Sequence, residues 1–150
     1  MCEASENYLW HLGERVGSGA TSDVYKAYNV KTGEIVAAKV SKIKPPPSNT
    51  RSGNQSVFAR EVNFLRDVTH DNIVRFIGTE FVTKTNDSLA SPNREVLFLE
   101  FCNGGSVGDI LRLPANRYGL PEDSVTQIMK DVTSALKYLH TKKIVSRKKE

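Results

Sequence analysis

The sequence lacks any hydrophobic run near the roughly 18 residues that a membrane-spanning helix requires. Its first seven residues contain no basic stretch leading into an apolar one, so we expect no secretory signal. Cysteine is scarce, since Cys2 and Cys102 are the two present, and they have neither a metal-like spacing nor the pattern of a disulfide framework. These absences favour a protein of the reducing cytoplasm that has no membrane partner.

The net charge of +4 gives little reason to expect a nucleic-acid partner. Of the 21 basic and 17 acidic residues, five and one lie at 141–150, which leaves 16 of each sign in the other 140 residues. The positive charge therefore belongs to the end of the chain, and no aromatic residues alternate with it. We expect no nucleic-acid binding and keep binding through this tail as a distant alternative.

The chain divides into a strand-rich first part and a helical second part. Branched and aromatic residues predict strands at 10–16, 23–28, 34–43, 73–82 and 96–101. Apolar residues spaced three to four apart predict a helix at 56–67 whose buried stripe is Phe58, Val62, Leu65 and Val68. Two polar stretches are expected to be loops, 45–54 with its three prolines and the flexible 84–94. The pattern predicts an α+β fold, a five-stranded antiparallel sheet with one helix.

The second part is expected to hold the first helices of a further helical region. Pro121 suits a first helical position, and Glu122 and Asp123 follow it near the positive end of the helix dipole. The helix that follows has a broad apolar face made of Val125, Ile128, Met129, Val132, Ala135, Leu136 and Leu139.

A glycine-rich segment, Gly17-Ser18-Gly19-Ala20-Thr21-Ser22-Asp23-Val24, is typical of loops that bind phosphate. Glycines allow backbone amides to approach phosphate oxygens without a Cβ in the way, although an ordinary hairpin turn would also explain them. The next residues, Val24 to Tyr28, are branched and aromatic and predict a strand. A dinucleotide-binding fold would need a helix there, and the Gly-Lys-Ser/Thr of a P-loop is absent. The glycines therefore belong to a hairpin.

Lys39 lies in an apolar strand, where an unpaired lysine is costly to bury. It could be a solvent-facing edge lysine, but the glycine hairpin upstream favours a role in neutralising phosphate charge. Glu61, on the predicted helix, is its natural counter-ion, although a solvated helix charge would be the simpler interpretation of that residue taken alone.

The ordered set of motifs resembles the N-terminal part of a eukaryotic protein kinase domain over about residues 7–145. It is most similar to the IκB-kinase-related serine/threonine kinases, the TANK-binding kinase group. The closer similarity lies in the residues of 7–10, 17–22, 71–75, 99–102 and 118–122. The departures are the long polar stretch 84–94, the triple proline with the loop after it, and the end of the chain.

The resemblance implies an enzyme of innate immune or stress signalling that uses ATP, acts on protein substrates and binds adaptor proteins. It implies that Leu99 limits access to a rear pocket, that the backbone of Glu100 to Cys102 binds adenine, and that Val16, Val24 and Ala37 cover the base. Mg²⁺ is expected only in the complete kinase. The implied nucleotide-binding residues are Val16, Gly17, Ser18, Gly19, Ala20, Thr21, Ser22, Asp23, Val24, Ala37, Lys39, Glu61, Leu99, Glu100, Phe101 and Cys102.

The resemblance does not extend to the catalytic loop. Ser146, Arg147 and Lys148 occupy the position of the family's His-Arg-Asp, and no Asp-Phe-Gly metal anchor is present. We expect residues 1–105 to form the kinase N-lobe and hinge, 106–145 the start of the C-lobe, and 146–150 a divergent basic tail. We expect this chain alone to be inactive, with a regulatory fragment or pseudokinase-like interaction module as the alternative. A truncated gene model, an alternative transcript or a cloned fragment would each explain such an end.

Overall fold

The computed structural model describes residues 1–43, 58–85 and 93–143. The chain forms two compact units, Met1–Val68 with Arg75–Phe101, and Thr69–Val74 with Cys102–Glu150. The loop predicted at 45–54, most of the stretch 84–94 and the tail 146–150 lie outside the described residues.

The first unit is built on an antiparallel sheet. Its strands are β1 (Cys2–Ala4), β2 (Tyr8–Ser18), β3 (Ser22–Asn29), β4 (Ile35–Ser41), β5 (Phe76–Phe81), β6 (Lys84–Thr85) and β7 (Glu95–Glu100). Their order in the sheet is β5-β7-β4-β3-β2-β1-β6. The unit also contains helix α1 (Ala59–Leu65). The predicted α+β class is confirmed, and the five predicted strands correspond to β2, β3, β4, β5 and β7.

Two short strands that the sequence did not predict extend the sheet to seven strands within the described residues. Strand β1 pairs with both β2 and β6, and the Thr83 amide donates to the Ala4 carbonyl at 2.8 Å. The expectation that 84–94 is entirely loop was wrong at Lys84–Thr85. Both strands are too short to show a period-2 pattern, so only their pairing partners make them strands.

The unpredicted strand β1 carries a buried acid. Glu3 is 1% exposed, accepts a hydrogen bond from the Trp10 indole at 3.3 Å and forms an ion pair with Arg94. A carboxylate can be buried when donors satisfy it in this way. Because Arg94 lies far along the chain from Glu3, local sequence gives no sign of the pair.

The two faces of the sheet support separate hydrophobic clusters. On one face, Trp10, Val36, Ala38, Val40 and Phe98 belong to the larger buried cluster. On the other face, Phe58 and Val62 pack with Leu97, and Val62 brings α1 against the sheet. All four residues of the predicted stripe, Phe58, Val62, Leu65 and Val68, are buried, which confirms the helix and its buried side, although α1 ends at Leu65 rather than at the predicted residue 67. Side chains alternate between the two faces along β4. Its even-numbered residues therefore lie on the face of the larger cluster, and its odd-numbered residues lie on the α1 side.

The second unit is helical. It contains α2 (Val107–Leu111), a short 3-10 helix (Pro114–Asn116) and α3 (Glu122–Thr141). Ser106 and Asp109 form a reciprocal capping box at the start of α2. Pro121 is the residue immediately before α3 rather than its first helical residue. Pro121 is extended, with ψ of 143°, so the helix begins one position later than predicted.

The segment Thr69–Val74 belongs to the second unit through side-chain contacts with α3. The Thr69 amide donates to the Tyr138 hydroxyl at 3.2 Å, and a ring nitrogen of His70 lies 3.2 Å from the Ser134 hydroxyl. The strand predicted at 73–82 runs only from Phe76 to Phe81, and Ile73 and Val74 are grouped with the second unit rather than with the sheet.

The apolar face of α3 is largely exposed. Its exposed members are Val125, Met129, Val132 and Leu136, with exposures between 44% and 57%. Among the described residues, no helix is long and apolar enough to cross a membrane.

Candidate functional site

Four residues predicted to bind nucleotide lie on one face of the sheet. Val24 on β3 pairs with Lys39 on β4, and Ala37 on β4 pairs with Leu99 on β7. Registered partners in antiparallel strands point to the same face, and Lys39 and Ala37 are two positions apart on one strand. Their common face is the α1 side, because Lys39 also pairs with Leu97, which packs against the helix.

Lys39 and Glu61 form the ion pair that the sequence predicted. Lys39 Nζ lies 2.6 Å and 2.8 Å from the two carboxylate oxygens of Glu61, and it also lies 5.6 Å from the centre of the Phe58 ring. Glu61 stands in the first turn of α1, so the helix sets its position above the sheet. The pair leaves an oriented ammonium group on the same face as Val24 and Ala37. Its role in binding phosphate stays a prediction.

The glycine-rich segment forms the hairpin between β2 and β3. The Gly19 amide donates to the Ser22 carbonyl at 2.8 Å, which closes the turn. Within the described part of the chain, the amides of Ala20 and Thr21 at the tip donate no hydrogen bond. These two amides are therefore available as donors to an anion.

The conformation of the hairpin does not itself require its glycines. Neither Gly17 nor Gly19 has a positive φ, and a Cβ would lie 3.7 Å from its nearest neighbour at either position. By contrast, Gly33 in the β3–β4 turn has a φ of +72°. The backbone conformation of the turn accounts for a glycine at position 33. It does not account for Gly17 and Gly19, which suit the close approach of a ligand to the hairpin backbone.

The other predicted site residues around the hairpin differ in solvent exposure and in the face of the sheet on which they lie. Val16, between the paired residues Arg15 and Gly17, is in an irregularity of β2 and is 56% exposed. Ser18 and Thr21 are exposed, whereas the Ser22 side chain is buried. Asp23 pairs with Val40, so it points to the face opposite Lys39. The structure therefore brings Asp23 near the hairpin but away from the α1 side.

Sequence reasoning missed Lys42, which contacts the hairpin from that opposite face. Its Nζ lies 3.1 Å from Asp23 Oδ1, and it donates to the Ser18 hydroxyl at 3.1 Å and to the Gly19 carbonyl at 2.8 Å. Burial, the largest influence, acts to raise the pKa of Asp23, but contacts with Ser18, Lys42 and Arg15 together hold that pKa below its ordinary value. A single lysine just after a strand gives no local signal of such a contact.

The end of β7 carries the segment expected to meet adenine. Leu99 and Phe101 are half-buried and Glu100 is exposed. The Glu100 carboxylate accepts from the Arg75 amide at 3.1 Å, and the Glu100 amide donates to the Arg75 carbonyl at 2.9 Å. Cys102 is exposed and is counted with the second unit.

The remaining predicted positions, Ser146, Arg147 and Lys148, lie outside the described residues. Within the described residues, no group of three or more His, Cys, Asp or Glu side chains is arranged to hold a metal ion.

Comparison with known protein families gives the decisive match. The protein kinase domain family matches residues 10–148. The chain belongs to this family. The Lys39–Glu61 pair, the glycine-rich hairpin and β7 all lie within the matched residues.

Individual relatives give a finer picture. The chain is 35% identical to mouse inhibitor of nuclear factor kappa-B kinase subunit epsilon over 97% of its length. It is 30% identical to the bovine beta subunit of that kinase over 92% of its length, and 33% identical to human mitogen-activated protein kinase kinase kinase kinase 3 over 89%. These similarities confirm the resemblance to IκB-kinase-related enzymes. The chain spans 18%, 17% and 13% of those three relatives.

Proposed function

We propose that this chain is the ATP-binding part of a protein serine/threonine kinase, a transferase that moves the γ-phosphoryl group of ATP to protein substrates. The observation that carries the proposal is the Lys39–Glu61 ion pair on the face shared with Val24 and Ala37. A kinase needs an oriented lysine of this kind to neutralise the α- and β-phosphates.

The geometry of the glycine hairpin is evidence for where the phosphates of ATP would bind. Among the described residues, the amides of Ala20 and Thr21 donate to no acceptor, and a Cβ at Gly17 or Gly19 would make only ordinary contacts. Backbone amides at a turn form a concave anion site without using any side chain. The hairpin tip and Lys39 would therefore hold the phosphates together.

The residues around the end of β7 are evidence for where the adenine ring of ATP would bind. Ala37 and Leu99 are adjacent apolar side chains on the same face as Val24, which suits the flat apolar surface of a purine. The backbone of Glu100 to Cys102 would bind the polar edge of the base and needs no particular side chain for this.

Phosphoryl transfer would require groups that these 150 residues do not contain. Ser146 and Lys148 stand where the family has its His and its catalytic Asp, and no Asp-Phe-Gly is present. We therefore propose that the chain by itself binds ATP weakly and transfers no phosphate. The relatives in nuclear factor kappa-B signalling extend the proposal to innate immune or stress signalling with protein adaptors.

The test is a titration of the chain with a fluorescent ATP analogue, compared with Lys39→Met. Loss of a charge-assisted contact worth about 1.5 kcal/mol corresponds to a roughly tenfold rise in Kd. Lys31→Met is the matched control, because Lys31 is exposed in the β3–β4 turn and its ammonium contacts Asn7. Equal affinity of the parent chain and Lys39→Met would refute the proposed role of Lys39.

A further inference from the structure

Two lysines lie near the glycine hairpin on opposite faces of the sheet, and Lys42 is the one whose side chain contacts it. Lys39 lies on the α1 side, whereas Lys42, just after β4, contacts Asp23 on the opposite face. The Lys42 backbone amide also donates to the Thr21 carbonyl at 2.9 Å. Lys42 therefore joins the end of β4 to the hairpin through its main chain and its side chain together.

The contacts of the Lys42 ammonium group converge on both arms of the hairpin. Ser18 and Gly19 belong to the arm that enters the turn, and Asp23 belongs to the arm that leaves it. The ammonium group donates hydrogen bonds to the Ser18 hydroxyl and the Gly19 carbonyl, and its charge forms an ion pair with Asp23 at 3.1 Å. Pulling the tip away from β4 would break these contacts together.

Solvent exposure limits how much the Lys42–Asp23 ion pair can contribute to stability. The Lys42 side chain is 39% exposed and the Asp23 side chain 17% exposed. An ion pair this accessible contributes little to global stability. It can still restrict the hairpin tip, because the ammonium group contacts both arms of the hairpin.

We propose that Lys42 is a positioning residue that holds the tip of the glycine hairpin in its phosphate-binding conformation. It does so through Asp23, Ser18 and the Gly19 carbonyl, without itself contacting the nucleotide. Restricting the tip beforehand reduces the conformational entropy lost when ATP binds. The inference rests on the proposed ATP-binding function and adds a residue to it.

The first measurement needs no nucleotide. Amide hydrogen exchange of residues 17–23, Gly19 among them, is followed in the parent chain, Lys42→Met, Lys42→Arg, Asp23→Asn and Lys31→Met. We expect a roughly threefold rise in exchange rate in Lys42→Met and Asp23→Asn, the size expected when a surface ion pair is lost. Lys42→Arg keeps the cation and should retain most of the protection, and Lys31→Met should match the parent. Unchanged exchange in Lys42→Met would overturn the proposal.

The second measurement separates positioning from general structural damage. Kd is measured for a fluorescent ATP analogue and for adenosine, which has no phosphates. Lys42→Met should weaken binding of the ATP analogue roughly threefold, in line with the loss of an exposed ion pair, and leave adenosine binding unchanged. Equal weakening of both ligands, or faster exchange with unchanged ATP affinity, would overturn the positioning role. If the parent chain bound neither ligand, the proposed function would fail, whereas the exchange experiment would still decide whether Lys42 holds the hairpin.

Discussion

Lys39 Nζ on β4 lies 2.6 Å from Glu61 Oε2 on α1, so one ion pair connects the sheet to its helix. The two side chains are 25% and 34% exposed, and water therefore screens their attraction. The contribution of the pair to stability is expected to be modest. Its main effect is to fix where the lysine ammonium group stands.

A double-mutant cycle tests this contribution. Lys39→Met, Glu61→Gln and the combined variant should show a coupling of about 0.2–1 kcal/mol in the free energy of unfolding, as exposed pairs do. Urea denaturation followed by Trp10 fluorescence provides the measurement. Strictly additive single effects would mean that the pair contributes nothing in solution.

Substitution of a hairpin glycine should reduce nucleotide binding without reducing the stability of the fold. Gly19→Ala should leave the free energy of unfolding nearly unchanged, because its φ is not positive and its Cβ would meet only ordinary contacts. It should weaken ATP-analogue binding, since the new methyl group occupies space at the phosphate loop. Thermal melts and nucleotide titrations on the same samples check both effects.

Gly33→Ala is the matched control for that experiment. Its φ of +72° is costly for alanine, so we expect a loss of about 1 kcal/mol in stability with nucleotide affinity unchanged. A Gly19→Ala variant that lost stability as Gly33→Ala does would show that the hairpin needs its glycine for folding.

The buried acid on β1 should be important for stability. Glu3→Ala removes an ion-pair partner of Arg94 and the acceptor of the Trp10 indole, and breaking a buried pair in this way costs about 3 kcal/mol. Glu6→Ala, at a nearby exposed position, should stay within about 0.5 kcal/mol of the parent chain. Chemical denaturation compares the two, and similar small effects would contradict the buried pair.

Glu80 should make stability depend on pH. Burial, the largest influence, acts to raise its pKa, but hydrogen bonds from the side chain and backbone amide of Asn7 help to lower the pKa below its ordinary value of 4.5. A carboxyl group with a lowered pKa in the folded state stabilises the fold above its unfolded-state pKa and loses that contribution as pH falls through the folded-state pKa. Glu80→Gln should therefore be less stable than the parent at pH 7, with the difference shrinking below about pH 4.5. A difference that stayed constant from pH 7 to pH 3 would refute this.

The exposed face of α3 should cause self-association of the chain. Val125, Met129, Val132 and Leu136 are exposed there, and each such side chain is worth about 1.5–3 kcal/mol when fully buried. Met129→Lys should raise the monomer fraction in sedimentation experiments, whereas Gln127→Lys, which adds the same charge beside that face, should raise it less. A monodisperse parent chain with a cooperative melt would contradict the prediction.

Much of the fold could be predicted because its signals are local. The three-to-four spacing of Phe58, Val62 and Leu65 predicted both α1 and its buried side, and the glycines at 17 and 19 predicted a hairpin. The Lys39–Glu61 pair could also be anticipated, since an apolar strand with one lysine requires a counter-ion nearby. The bounds of β5 and α3 were less accurate. Thr69–Val74 is grouped with the second unit, and the extended backbone of Pro121 places it before α3.

By itself, the sequence determined the five longer strands, the main helices and the family to which the chain belongs, because periodicity and motif order are properties of neighbouring residues. Only the tertiary structure decided that Glu3 forms an ion pair with Arg94 and that Lys42 contacts the hairpin. It also decided that Cys2–Ala4 and Lys84–Thr85 are strands of the sheet. These contacts depend on sheet register and on which face each side chain occupies. No short stretch of residues contains that information, since each contact becomes favourable only when distant strands are already paired.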